Sequence, residues 1–548
     1  MKRLTALLAP LLLAACGGGG GSSDTGAPPS PPPPPPPPPV TQAEAFQLLN
    51  QASFGATEAA AADVISLGLE SWVDRQMTAT PSLQLPYLQS LPRPMPIGQL
   101  HQDRVDVWFR NALNGNDQLR QRVAFALSQI MVVSQNGALQ GAPYAVADYY
   151  DMLTRNAFGN FRDLIEDVTL HPAMGVYLSM LGNEKPNTEL NIRPDENYAR
   201  ELMQLFSIGL VELNTDGTTV FGADNQPVPT YNQAVIEGFA HVFTGWNYAG
   251  FASFEFARPT EQNQVVPMQL YPEFHDTGAK QLLGTTVLPA GQSGEQDLSD
   301  ALDNVFNHPN VGPFIAIRLI QRLTTSNPSP DYVRRVAEVF NDDGTGERGD
   351  LAAVVQAILL DPEARPELAT GIDGKLKEPL VRVTQLWRAY NATSADGGFR
   401  ATPVTFIVGQ GPLQAPSVFN FYSPFYAPPG EISQAGYVAP ELQIATEYQN
   451  TFITNFFFYQ AFIANQLNVD DLGRGDVYID FSEELDIAAD PTALVNRVAD
   501  KLLGGVISDT LRTEITTIVT TIPATDAAVR VAEAIYLVST SPEFATQM

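Results

Sequence analysis

From Thr41 onward, apolar residues return at the i, i+3, i+4, i+7 spacing of a helix that buries one stripe, and this periodicity constrains the fold more than any other feature. Val123, Leu127, Ile130 and Met131 follow it, as do Phe161, Leu164, Ile165 and Val168. The pattern recurs at Val333, Val336 and Phe340 and again at Val354, Val355, Ile358 and Leu359. Asp350 reads as the N-cap of a helix over Leu351–Leu360, and Asp361-Pro362 as its stop. Strand-like alternation is confined to short stretches at 218–221, 251–256 and 281–287, expected to be hairpins set among helices. The expected class is mainly α: a large multi-helix body with short β-hairpin insertions and long irregular loops. The loops fall at 248–294 and 406–440, and connections of that length in a compact body usually carry function. At 548 residues and 44% hydrophobic side chains the chain can bury a large core in one domain or two lobes, with the turn at 371–377 a candidate boundary.

The first forty residues have a different logic. Met1-Lys2-Arg3 followed by the apolar run Leu4–Ala15 has the charged and hydrophobic regions of a secretory signal, too short to span a bilayer. Leu13-Ala14-Ala15-Cys16-Gly17 resembles a bacterial lipobox, so residues 1–15 are expected to be removed and Cys16 to carry palmitate and related acyl chains. By analogy with lipoprotein sorting, Gly17 favours the outer membrane. Residues 16–40 form a lipidated Gly/Pro-rich tether in which Pro31–Pro39 would make a polyproline II rod of about 28 Å, leaving 41–548 as the folded body. The expected location is the cell envelope.

Acids outnumber bases 60 to 31; without Lys2 and Arg3 the balance is 60 to 29, or −31, a surface that repels nucleic acid. One cysteine excludes an internal disulfide and any CxxC zinc site. Gly344–Gly349 matches G-x-G-x-x-G, but a helix rather than a strand precedes it and Asp342, Asp343 and Glu347 repel phosphate. The same loop fails the EF-hand register at Ala352. No G-x-S-x-G, P-loop or H-E-x-x-H sequence is present, so common serine hydrolases, P-loop enzymes and zincins are not signalled, and the cofactor is unknown.

Five histidines remain to be placed. His171-Pro172 and His308-Pro309 sit where helices begin, and His101 is expected at the surface. Glu237 and His241 lie four apart, opposite the apolar stripe Val235, Ile236, Phe239, Phe243 and Trp246; they form half a metal site or a simple Glu-His pair. Winding residues 194–206 as a helix puts Tyr198, Leu202, Leu205, Phe206 and Gly209 on one face and Asn197, Arg200 and Gln204 on the other. Glu201 falls at the border, either pinned in a structural network or forming a site wall. In the cluster His275-Asp276-Thr277-Gly278-Ala279-Lys280, adjacent His and Asp side chains should face two directions, one available as general base or ligand while the other anchors the loop. Glu201, Arg200, His275, Asp276 and Lys280 are therefore the candidate catalytic residues.

The same segments carry a resemblance. Ala45–Gly55, Glu196-Asn197-Tyr198-Ala199-Arg200-Glu201-Leu202, Phe243-Thr244-Gly245-Trp246, His275-Asp276 with Lys280, Leu283-Gly284 and Pro416-Ser417-Val418-Phe419 together resemble the bacterial exported domain-of-unknown-function 1800 family, over nearly the whole body. The resemblance implies a helical, exported protein and a partner similar to exported phosphatases or sulfatases, and brings no assigned chemistry. Asn420-Phe421-Tyr422-Ser423-Pro424 departs from the Gly-Trp of many relatives, which makes its aromatics candidates for a lid or contact patch. Two functions stay open. One is an accessory or binding component of an envelope lipoprotein type, acting with an exported hydrolase or surface polymer. The other is an acid-base or metal-assisted hydrolase around Glu201 and His275/Asp276.

Overall fold

A computed structural model describes residues 39–365, 374–399, 402–464 and 476–547. Cys16, the signal segment and most of the tether lie outside the described residues, as does part of the 371–377 turn. Residues Val40–Met548 gather into one compact unit.

The architecture is mainly α. Twenty-four α-helices, most of them short, alternate with four antiparallel pairs of two-residue strands among the described residues. No helix among these residues is long and apolar enough to cross a membrane. The helical stripes read from the sequence are the buried ones: Phe161, Leu164, Ile165 and Val168 pack inward on Phe161–Leu170, and Val333, Val336 and Phe340 on Pro330–Asn341. Asp350 caps Leu351–Leu360 by accepting from the amides of Ala352 and Ala353 (2.8 and 3.3 Å), and the helix ends at Asp361. His171 caps Pro172–Tyr177 through Nδ1, which accepts from Ala173 N–H at 3.1 Å.

Three expectations are corrected. His101 is buried within the helix Ile97–Asn114, where Nε2 lies 3.0 Å from the Gln140 carbonyl. Burial, then the Arg104 charge, pulls its pKa down to about 4, so the ring stays neutral. Residues 251–256 form no strand; Phe254–Phe256 is a 3-10 turn whose Phe254 ring stacks on Phe274. Asn197–Glu201 does not continue as a regular helix: residues Leu202–Ser207 widen into a π-turn and Gly209 leaves it at φ +76°. The wider turn breaks the 100° register, so Leu205 is only half-buried while Leu202 and Phe206 remain in the core.

Two packing relationships position the functional regions. Helix Gln233–Val242 lies against the strand Lys280–Gln281, which pairs with Val287–Leu288. Gly238 permits that approach, because a Cβ there would collide with the Gln281 backbone oxygen. Elsewhere, helix Val311–Leu323 packs against Gln118–Ser128 and the π-turn Leu202–Ser207, and its exposed side meets the loop 416–425.

Candidate functional site

The residues picked out by sequence fall into two separate networks. In the first, Thr244 is the hinge. Its hydroxyl donates to the His241 carbonyl at 2.7 Å and accepts from Asp276 N–H at 2.9 Å, while its own carbonyl lies 3.0 Å from His275 Nδ1. Gly245, at φ +86°, brings the backbone against His275, where a Cβ would sit 2.9 Å from the His275 nitrogen.

His275 and Asp276 do face opposite ways. The His275 ring points inward, with Nε2 3.0 Å from Asp297 Oδ2, and Asp276 turns outward to hydrogen-bond the His241 ring at Nδ1. Asp297 comes from the first turns of helix Gly294–Phe306, whose start is fixed by Ser293 accepting from Gln296 N–H at 3.3 Å. Lys280 Nζ reaches the same Asp297 Oδ2 at 2.6 Å and donates to the carbonyls of Asp276 and Gly278 at 2.5 and 2.9 Å. The His275, Lys280 and Asp297 side chains are at most 1% exposed. Both His275 nitrogens face acceptors, the Thr244 carbonyl and the Asp297 carboxylate that Lys280 also reaches. Such a group is a knot, sealed from solvent, that holds helix, loop and strand together, with Asp297 Oδ1 left without a hydrogen-bond partner. Asp276 is more accessible. Burial pushes its carboxyl up, but the Gly278 N–H, the His241 ring and the Lys280 charge outweigh that, and its pKa lies below the ordinary carboxylate value.

The second network lies about 12 Å away along helix Gln233–Val242, at 1.5 Å per residue from His241 to Gln233. Gln233 donates to Glu196 at 2.9 Å and to Glu237 at 3.3 Å, and Arg200 pairs with Glu196 at 2.9 Å. Glu237 is exposed and turns to Gln233, whereas the partner of His241 is Asp276. Among the described residues no group of three or more His, Cys, Asp or Glu side chains is placed to hold a metal ion. Glu201 is 7% exposed with Oε2 unpartnered, and burial, opposed by Arg200, raises its pKa. Glu201 thus sits with Arg200 and Tyr231, apart from the His275 knot.

A cavity of about 890 Å³ opens elsewhere, between helix Val311–Leu323, residues 204–219 and the loop 416–425. None of Glu201, Arg200, His275, Asp276, Lys280, Glu237 or His241 lines it, nor a second, smaller cavity of about 570 Å³ near His308. The larger cavity contains the Pro416-Ser417-Val418-Phe419 segment and the aromatic loop after it. Phe314, Arg318 and Arg322 form an i, i+4, i+8 stripe on one helix face. The Arg318 guanidinium lies 4.8 Å from the Phe314 ring centroid and 4.6 Å from that of Phe425, and Arg322 lies 4.7 Å from Tyr422. Gln321 ties helix to loop by donating to the Pro424 carbonyl at 3.2 Å. Asn420 turns the loop at φ +65°, a left-handed conformation that asparagine tolerates.

Behind the cavity lies a buried ionic cluster. Lys375 meets Glu441 at 2.9 Å, and Gln129 donates to Glu378 at 2.6 Å. Burial pushes Glu378 up, but Lys375, then Arg122 and Arg322, outweigh it and leave its pKa lowered.

The lining residues include no Asp, Glu, His, Lys or Cys. The 406–440 stretch with its aromatics and Gln204 were visible in the sequence, whereas Arg318, Arg322 and Gln129 were missed. The available signal was the pair of arginines four apart in the otherwise apolar segment VGPFIAIRLIQRL.

A family model described as "Protein of unknown function (DUF1800)" matches residues 47–546. No curated protein matches, and no solved structure matches.

Proposed function

The chain belongs to that family, and we propose that this member is an accessory or binding component of the cell envelope, tethered through acylated Cys16, that holds a ligand for an exported hydrolase or surface polymer. The observation that carries the reading is the 890 Å³ cavity walled by aromatics and two arginines, with no Asp, Glu, His, Lys or Cys on its lining among the described residues. Supporting it, the candidate acid-base groups His275 and Lys280 are spent on one another through Asp297, away from solvent. A binding role uses shape and charge, which this cavity has.

The purified body is expected to turn over none of a panel of p-nitrophenyl esters, phosphates and sulfates. Turnover that disappears in Glu201→Gln would overturn the binding role in favour of a hydrolase. That alternative rests on one observation, the unpartnered Glu201 Oε2 with its raised pKa. For the tether, radiolabelled palmitate should enter the full chain and not Cys16→Ala, and the variant should leave the membrane fraction. Equal membrane retention of the variant sinks the envelope anchor.

A further inference from the structure

Every orphaned buried polar atom on the cavity lining is a donor. Arg322, 3% exposed, has Nε and Nη1 without a partner, and Asn420, 6% exposed, has Nδ2 without one. Unpaired buried donors are costly, and a guanidinium left without an acceptor is the costliest kind. Charge tells the same story. Lys375, Arg122 and Arg322 all act on the one carboxylate of Glu378, Lys375 also meets Glu441, and the charge felt by Arg318 is the like charge of Arg322. Neither Arg318 nor Arg322 makes an ion pair among these residues; Arg318 donates to the neutral Gln321 amide at 3.2 Å and is otherwise flanked by two phenyl faces. Burial, then the neighbouring Arg322, pushes the Arg318 pKa down, the mark of a cation short of counter-charge. This surplus of positive charge stands in a chain of net charge −29. Around it the wall is apolar, with Leu205, Ile208 and Phe421 beside the phenyl rings.

We infer that this cavity binds a small amphipathic organic anion, its oxyanion head against Arg318 and Arg322 and its apolar body among Phe314, Ile208 and Phe421. The assignment rests on the reading of the cavity as a binding site. A guanidinium presents its donors in a planar fork suited to carboxylate, sulfate or phosphate oxygens, and the flanking rings hold that fork in place before the ligand arrives. The apolar walls exclude free inorganic phosphate as the preferred occupant, because a bare ion would leave them uncovered.

The test compares two dyes of similar shape, anionic 1-anilinonaphthalene-8-sulfonate and neutral N-phenyl-1-naphthylamine, titrated into the folded protein. Arg318 is half-buried, so Arg318→Gln should fold; an unchanged thermal midpoint checks that. The variant should weaken the anionic dye at least about tenfold and the neutral dye less than about twofold, with Arg318→Lys restoring much of the loss. Ser417→Trp, at an exposed rim position, should block both dyes. Laurate or dodecyl phosphate displacing the dye marks a lipid-like source, and naphthalene sulfonate displacing it better marks a free aromatic anion; inorganic phosphate should displace neither. Equal affinity of the anionic dye for wild type and Arg318→Gln overturns the anion assignment but leaves the cavity a binding site, provided Ser417→Trp still blocks binding. If Ser417→Trp changes neither dye, both the anion assignment and the binding role fail.

Discussion

The His275–Lys280–Asp297 knot and the Arg318–Arg322 cavity are both rich in charge, yet one is closed and the other open. In the knot, a single buried carboxylate is met by a lysine at 2.6 Å and an imidazole at 3.0 Å, and the lysine's remaining donors go to carbonyls. In the cavity, two guanidiniums meet aromatic faces and neutral groups, Arg322 shares the Glu378 charge with Lys375 and Arg122, and three donor atoms stay unsatisfied. What separates them is access: the orphan donors of Arg322 and Asn420 lie on a cavity, whereas the orphan Asp297 Oδ1 is enclosed.

The sharpest way to break this contrast is Asp297→Ala. It strands the buried Lys280 and His275 together, and should cost about 3–5 kcal/mol of stability, read as a large fall in the urea midpoint. A loss below about 1 kcal/mol would show that the knot is not closed. Arg318→Met should behave in the opposite sense. Because no carboxylate loses a partner, stability should change by no more than about 1 kcal/mol in either direction, measured on the same urea curve.

A third measurement uses pH. Asp276 has a folded pKa below its unfolded value, so its contribution is fully present above the ordinary aspartate value and is lost as pH falls through the folded one. Asp276→Asn should therefore flatten the decline in unfolding free energy below about pH 4. An unchanged acid limb would mean that the His241 contact is not formed in solution. The smallest effect belongs to the cavity rim. Phe425→Ala removes one face of the Arg318 sandwich at an exposed position and should cost about 0.5–1 kcal/mol, detectable as a modest shift in thermal midpoint.

Much of the scaffold was legible in the sequence. Asp350 and Asp361-Pro362 delimit Leu351–Leu360 because capping and proline geometry act over a few residues. The opposed directions of His275 and Asp276 follow from backbone geometry alone, and both side chains do diverge. The partner of His275 was not legible: Asp297 lies 22 residues on, in the next helix, and nothing in its local sequence announces the contact. The π-turn after Glu201 was equally hidden, since the apolar pattern of Leu202, Leu205 and Phe206 fits a regular helix. His101 was misplaced at the surface because its burial comes from the distant Gln140 segment rather than from its own neighbours.

A helix-dominated body, its helix ends and the apolar stripes that pack it are written in the order of the residues, because periodicity and capping are local and backbone geometry enforces them. Only the tertiary structure decided which charges are answered. Arg322 and Tyr422, far apart in the chain, meet at the cavity, while Lys375 finds Glu441 behind it. Whether a buried donor is satisfied depends on the position of every acceptor the fold brings within about 3 Å, and that inventory exists only once the chain has closed on itself.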